Sequence, residues 1–247
     1  MRNLVDQHRD TLDGSPVPDG GYDADYLLRA TGYSAGAVDL AALAVPEPLE
    51  DSLRAALARR RSQLRFTRSA LPLPDLAAVL LTAFGHLDEG SGWSAAVAPG
   101  RRAYPSGGAL YPIEVIVCPL RIEGLAPRPW YLQSMAEALV PFGPPARTDG
   151  LGSLFGNDGV ADAAVIVLLW ADFARPALAK YAGKEYRLML LEAGHAMQNL
   201  ALVATTLGLP VLPSCGFDDQ ALATAVGLHF PVQSVLYAAV IGGRSND

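Results

Sequence analysis

Lys180-Tyr181 sets an amine beside a phenol on a stretch that reads as an exposed connector. Both groups ordinarily titrate near 10, so either serves as a base at neutral pH only where burial or its neighbour lowers it. A solvated lysine beside a packing tyrosine is the plainer account. Four other stretches carry ligand-type chemistry. Arg59-Arg60-Arg61-Ser62 with Arg65 offers guanidinium forks and a hydroxyl that suit a phosphate and a polar ring edge, although basic residues also simply suit a helix C-terminus. Pro105-Ser106-Gly107-Gly108 is a turn whose small residues would let the backbone lie against a planar or phosphorylated ligand. Pro213-Ser214-Cys215-Gly216 is a tight turn whose N–H groups could aim at an acceptor; with no histidine near it in sequence, Cys215 is assigned no thiol chemistry. Arg244 follows a Gly-Gly pair, where a guanidinium could close over a phosphate.

These residues must be positioned by the elements around them. Glu185 to Leu207 reads as one helix of about 22 residues and roughly 33 Å, stopped by Gly208 and Pro210. Leu188, Leu191, Met197, Leu200, Val203 and Ala204 recur at helical spacing, while Glu192, His195 and Asn199 form a narrow polar stripe. So apolar a helix is expected to be buried, with Ala193, Gly194 and Ala196 admitting a neighbouring backbone. His195 is most simply a hydrogen-bonded structural residue. Shorter helices are expected over 50–61, over 73–84 behind Pro74, and from Asp218 to Val226. Strands are expected at 113–119, 163–170 and 234–241, with a hairpin joining 130–132 to 138–142. Residues 1–45 read as an arm or wrapping segment and 46–247 as the main domain. Strands and helices alternate too irregularly for a doubly wound sheet, which favours α+β with a mostly antiparallel sheet.

Composition bounds the function. Apolar residues make up 51% against 18% charged, enough for a sizeable core, and a net charge of −6 argues against bulk nucleic-acid binding. Neither a signal core nor a membrane-spanning apolar run is visible, and two cysteines make no disulfide framework; a cytoplasmic location is expected. Rossmann, P-loop and esterase motifs are absent, and the four histidines show no metal-ligand spacing.

Taken together, RRS with Arg65-Phe66, PSGGALYP, KY followed by YRLMLLEAGHAMQNLALVATTLGL, PSCGFDD and a terminal GGR resemble the nitroreductase superfamily. Within it the chain looks like the SagB-type dehydrogenases, FMN-dependent azoline oxidases of thiazole/oxazole-modified peptides. The resemblance covers about residues 50–245. It implies a nitroreductase-like fold around a long central helix and a domain-intertwined homodimer with FMN at the interface. Arg60, Arg61 and Ser62 would hold the ribityl phosphate and flavin edge, with Arg244 at the phosphate. Pro105, Ser106, Gly107 and Gly108 would reach in from the partner chain. Ser214, Cys215 and Gly216, following Pro213 at the cofactor, would set N–H groups by flavin N5. A basic residue common in the family two positions after the serine is Leu64 here, and Arg65 is the candidate substitute. Lys180 and Tyr181 match the pair implicated in azoline oxidation. The implied reaction takes a proton from one ring carbon and passes a hydride from its neighbour to the flavin, with O2 as reoxidant. The substrate would be a peptide or small heterocycle, with a cyclodehydratase as a possible partner. The rival readings are an NAD(P)H-driven nitro- or quinone-type reductase and a non-catalytic flavin-fold subunit that scaffolds a modifying complex.

Overall fold

The computed structural model describes residues 36–40, 42, 43, 53–87, 101–143, 147–175, 181 and 183–244. Lys180, most of the N-terminal arm and residues 90–100 lie outside the described residues. In chain order the strands are β1 (Val38–Asp39), β2 (Leu71–Pro72), β3 (His86–Leu87), β4 (Arg101–Arg102), β5 (Glu114–Pro119), β6 (Ile122–Glu123), β7 (Trp130–Gln133), β8 (Ala138–Pro141), β9 (Val165–Asp172), β10 (Val211–Ser214) and β11 (Gln233–Ile241). The α-helices are α1 (Leu53–Arg59), α2 (Leu73–Phe84), α3 (Glu185–Thr206) and α4 (Asp219–Val226).

Seven strands form one antiparallel sheet in the order β1-β8-β7-β5-β9-β11-β10. The continuous apolar run at its centre explains itself by the two-residue period of a strand. Val165, Val167, Leu169 and Ala171 of β9 point into a core shared with α2 and α3, whereas Ile166, Leu168 and Trp170 point into a second core under α4. With both faces covered, alternation of apolar and polar residues disappears. The edge strand β1 belongs to the arm: Val38 pairs with Leu139, and Leu40 just beyond it is fully buried.

Asp218 caps α4 by accepting the Ala221 N–H at 2.9 Å, and Gly227 at φ 86° ends it. In α3 the periodicity is sound, and within one chain the burial is one-sided. Met189, Ala193, Ala196, Met197, Leu200 and Ala204 face the core, each contributing by loss of exposed apolar area. Leu190, Leu191, Gly194, His195 and Gln198 are exposed on the other side. A Cβ placed on Gly194 would meet nothing within 4 Å. Of the three small residues, only Gly194 lies on the open face; Ala193 and Ala196 are buried inside the chain. The polar stripe also divides. Glu192 is buried, His195 is exposed, and Asn199 donates to the Ala103 carbonyl at 3.1 Å.

Candidate active site

The functional candidates fall into two groups at opposite ends of α3. One group starts where α1 ends at Arg59. Residues 60–66 then run alongside the edge strand β10, with Ser62 bridged to Val211 and the Gln63 N–H donating to the Val211 carbonyl at 2.9 Å. Extended backbone throws successive side chains to opposite sides, and the arginines separate accordingly. Arg61, Gln63 and Arg65, with Arg59, line a cavity of about 410 Å³ completed by Thr67, Thr205, Gly208–Pro210 and Gly243. Among the described residues no acidic side chain lines it, and its donor set suits a phosphate-bearing ligand.

Arg60 lies within electrostatic reach of Tyr237, whose hydroxyl is pushed above its ordinary range by burial and by Cys215, with Arg60 pulling the other way. Arg60 thus lies on the Tyr237 side of the segment, while Arg65 lies in the cavity with Arg61. Leu64 is 61% exposed. The turn itself is braced: the Gly216 N–H donates to Ser214 Oγ at 3.0 Å, the Gly156 N–H to the Gly216 carbonyl at 2.9 Å, and Phe155 meets Phe217 edge to face at 5.6 Å. Pro213 and Ser214 belong to β10, paired with Ala239 and Ala238. The Cys215 thiol is pushed up by burial and then by Asp219, the reverse of what a nucleophile needs. Arg244 is held by protein partners, its Nε donating to the Leu207 carbonyl and its Nη2 lying 3.2 Å from Asp75 Oδ2.

At the other end, Gly107 and Leu110 line a narrow cleft with Tyr181, Glu185, Leu188 and Glu192. Pro105 and Gly108 are exposed, and Ser106 is half-buried. The loop turns through left-handed backbone at Gly108 (φ 61°), Ala109 (φ 54°) and Tyr111 (φ 43°). Beneath it, Arg102 is buried, donates to Tyr104 Oη at 2.8 Å and lies 4.9 Å from the centre of the Tyr111 ring. Burial drives the Glu192 carboxyl up to about 7, against the pull of Ser106, the Ile113 amide and Arg102. The chain leading toward Lys180 starts from a buried ion pair, Arg175 with Glu114 at 3.4 Å, whose carboxylate also accepts the Tyr131 hydroxyl at 2.6 Å.

Leu188 packs against Gly107, and Thr205 lines the arginine cavity. At about 1.5 Å per residue these positions stand about 25 Å apart along α3. A single chain therefore brings Ser106 and Gly107 to Tyr181 and brings the arginines toward the Pro213–Gly216 turn, but it does not bring the two groups together. Sequence reasoning missed Tyr237, Arg102, Tyr104 and the burial of Glu192. Only the last had a local signal, being three residues from Met189 and four from Ala196 on the core-facing side.

The profile of the Nitroreductase family matches residues 57–243. The chain belongs to that family, an oxidoreductase family. It is 29% identical over 185 residues to the microcin B17-processing protein McbC of Escherichia coli, covering 73% of this chain. This chain spans 65% of that relative's length. In structure it is similar to a chain of the E. coli microcin synthetase McbBCD complex with truncated pro-MccB17 bound, at 26% identity and a TM-score of 0.65 over 90% of this chain and 91% of that one. A nitroreductase family protein of Clostridium novyi shares the fold, with 15% identity and a TM-score of 0.52 over 79% and 87% of the two chains. The similarity to McbC agrees with the SagB-type resemblance.

Proposed function

We propose that the protein is an FMN-dependent dehydrogenase that oxidises thiazoline or oxazoline rings of a modified peptide to thiazoles or oxazoles, acting as a homodimer. The observation that carries this reading is the division of the candidate residues between the two ends of α3. Such a division is what a site shared between two chains requires, with the Leu190, Leu191 and Gly194 face of α3 at the contact.

Arg61 and Arg65, which line the cavity, and Arg244 after β11 would hold the ribityl phosphate; Arg60, on the opposite side of the segment, would face the ring edge. Ser62 and the Pro213–Gly216 turn would line the ring edge, and the Pro105–Gly108 loop of the other chain would cover it. FMN supplies a hydride acceptor when bound. The chain's own work is to hold the azoline against that surface, to exclude water with the loop, and to take the ring proton on Lys180 or Tyr181. A lowered pKa on one member of that pair is required for a base at neutral pH. McbC processes microcin B17, and the McbBCD structure is a complex with a peptide, so a peptide substrate and a partner are extended here to this chain. A cyclodehydratase is the partner class, since it makes azolines.

The test begins with the purified protein's visible spectrum after incubation with FMN, followed by mass spectrometry of an azoline peptide for the loss of two hydrogens per ring. Wild type should be yellow and convert the peptide. Lys180→Ala and Tyr181→Phe should stay yellow and lose conversion. Full conversion by both variants would remove the assigned roles. A colourless protein would favour a scaffolding subunit, and rapid bleaching of the flavin by NADPH would favour a nitro- or quinone-type reductase.

A further inference from the structure

We infer that Glu192 is the positioning residue of the Ser106–Tyr111 loop, fixing from the central helix the backbone that reaches the shared site. Its carboxyl holds the loop at both ends. The Ile113 N–H donates to Glu192 Oε1 at 3.4 Å, and the Ser106 hydroxyl bonds to the same carboxyl. Ser106 Oγ in turn accepts the Tyr111 N–H at 2.9 Å. One buried side chain thus closes a ring of hydrogen bonds around a segment whose Ala109 and Tyr111 occupy left-handed backbone that side-chain-bearing residues rarely adopt. Such a conformation persists only when its surroundings over-determine it. Residues 106 and 192 are remote in sequence, so the constraint couples α3 to the loop directly.

The groups facing Glu192 are Arg102 on β4 with the Tyr104 hydroxyl beside it, Tyr111 of the loop, Glu114 on β5, and Tyr181 and Glu185 across the narrow cleft. Arg102 favours the ionised form; burial and Glu114 oppose it. Ionised, Glu192 accepts from both Ser106 and Ile113 with charge-assisted strength. Protonated, it binds both more weakly, and the loop loosens.

The inference rests on the proposed function only for its effect on turnover; the loop's order is measured without it. Glu192→Gln keeps the side chain's size and removes its charge. Ser106→Ala removes the hydroxyl alone, and the double variant measures their coupling. In hydrogen exchange of the full-length protein, Glu192→Gln should speed exchange at the Tyr111 and Ile113 amides several-fold, relative to the core face of α3. The double variant should add little to either single change. In FMN-loaded protein, wild-type azoline oxidation should weaken as pH falls through about 7, the range of the Glu192 carboxyl, and Glu192→Gln should lose that step. Unchanged loop exchange, additive single effects, or a variant that keeps the wild-type pH step would each overturn the assignment. A wild type that binds FMN yet oxidises no azoline would instead remove the proposed function, and the exchange data would still decide the role of Glu192.

Discussion

Arg244 Nη2 lies 3.2 Å from Asp75 Oδ2, joining the segment after β11 to the first turn of α2. The Asp75 side chain is 7% exposed and that of Arg244 52%, so the carboxylate depends on this cation more than the cation depends on it. Arg244→Ala should therefore unfold at a lower temperature, with a loss of about 2 kcal/mol from leaving a buried charge uncompensated. Asp75→Asn in the same background should recover most of that loss. Calorimetry of the three proteins checks it, and an unshifted Tm in Arg244→Ala would confine that residue to ligand binding.

The pH dependence of stability has a sign set by Glu192. Its carboxyl titrates near 4.5 in an unfolded chain and near 7 in the folded one. The folded protein therefore binds the extra proton between those values, and stability from this group is complete below about 4.5 and falls as pH rises through about 7. The cost of ionising it in the folded state is on the order of 3 kcal/mol. Denaturant titrations of wild type and Glu192→Gln at pH 5.5 and pH 8 should show the variant gaining relative to wild type at the higher pH.

The phosphate assignment separates from binding of the flavin ring. Arg61→Ala should weaken FMN by about tenfold or more, the loss of one charge-assisted hydrogen bond. Riboflavin, which lacks the phosphate, should bind this variant as it binds wild type. Fluorescence titration with the two ligands decides the point, and equal losses for both would place Arg61 at the ring.

The open side of α3 predicts an assembly defect. Leu191 is 53% exposed within one chain. Leu191→Asp should run as a monomer in size-exclusion chromatography and fail to retain FMN, while keeping its helical circular dichroism.

What could be read ahead of the structure was whatever has a local period or a local stop. The central strand at Val165–Asp172, the hairpin of β7 and β8, the span of α3 and the Asp218 cap all rest on residues within a few positions of one another. Which face of α3 is buried within one chain was not legible, because an exposed apolar surface and one facing a core have the same composition. The site was less legible than the fold. Arg60 and Arg61 are adjacent in sequence yet point apart, because an extended backbone alternates. The joining of Ser106 to Glu192 and of Arg244 to Asp75 depends on packing between remote segments, for which no sequence spacing exists.

The distance along α3 also governs genetics. In the proposed dimer, lesions in the arginine half and in the Tyr181 half belong to different chains at any one shared site. Co-expressed Arg61→Ala and Tyr181→Phe chains should therefore complement. Each mixed dimer collects both defects in one site and leaves the other intact, so random pairing restores about a quarter of wild-type turnover from two inactive parents. A protein with all its candidate residues at one end of the helix would show no such rescue.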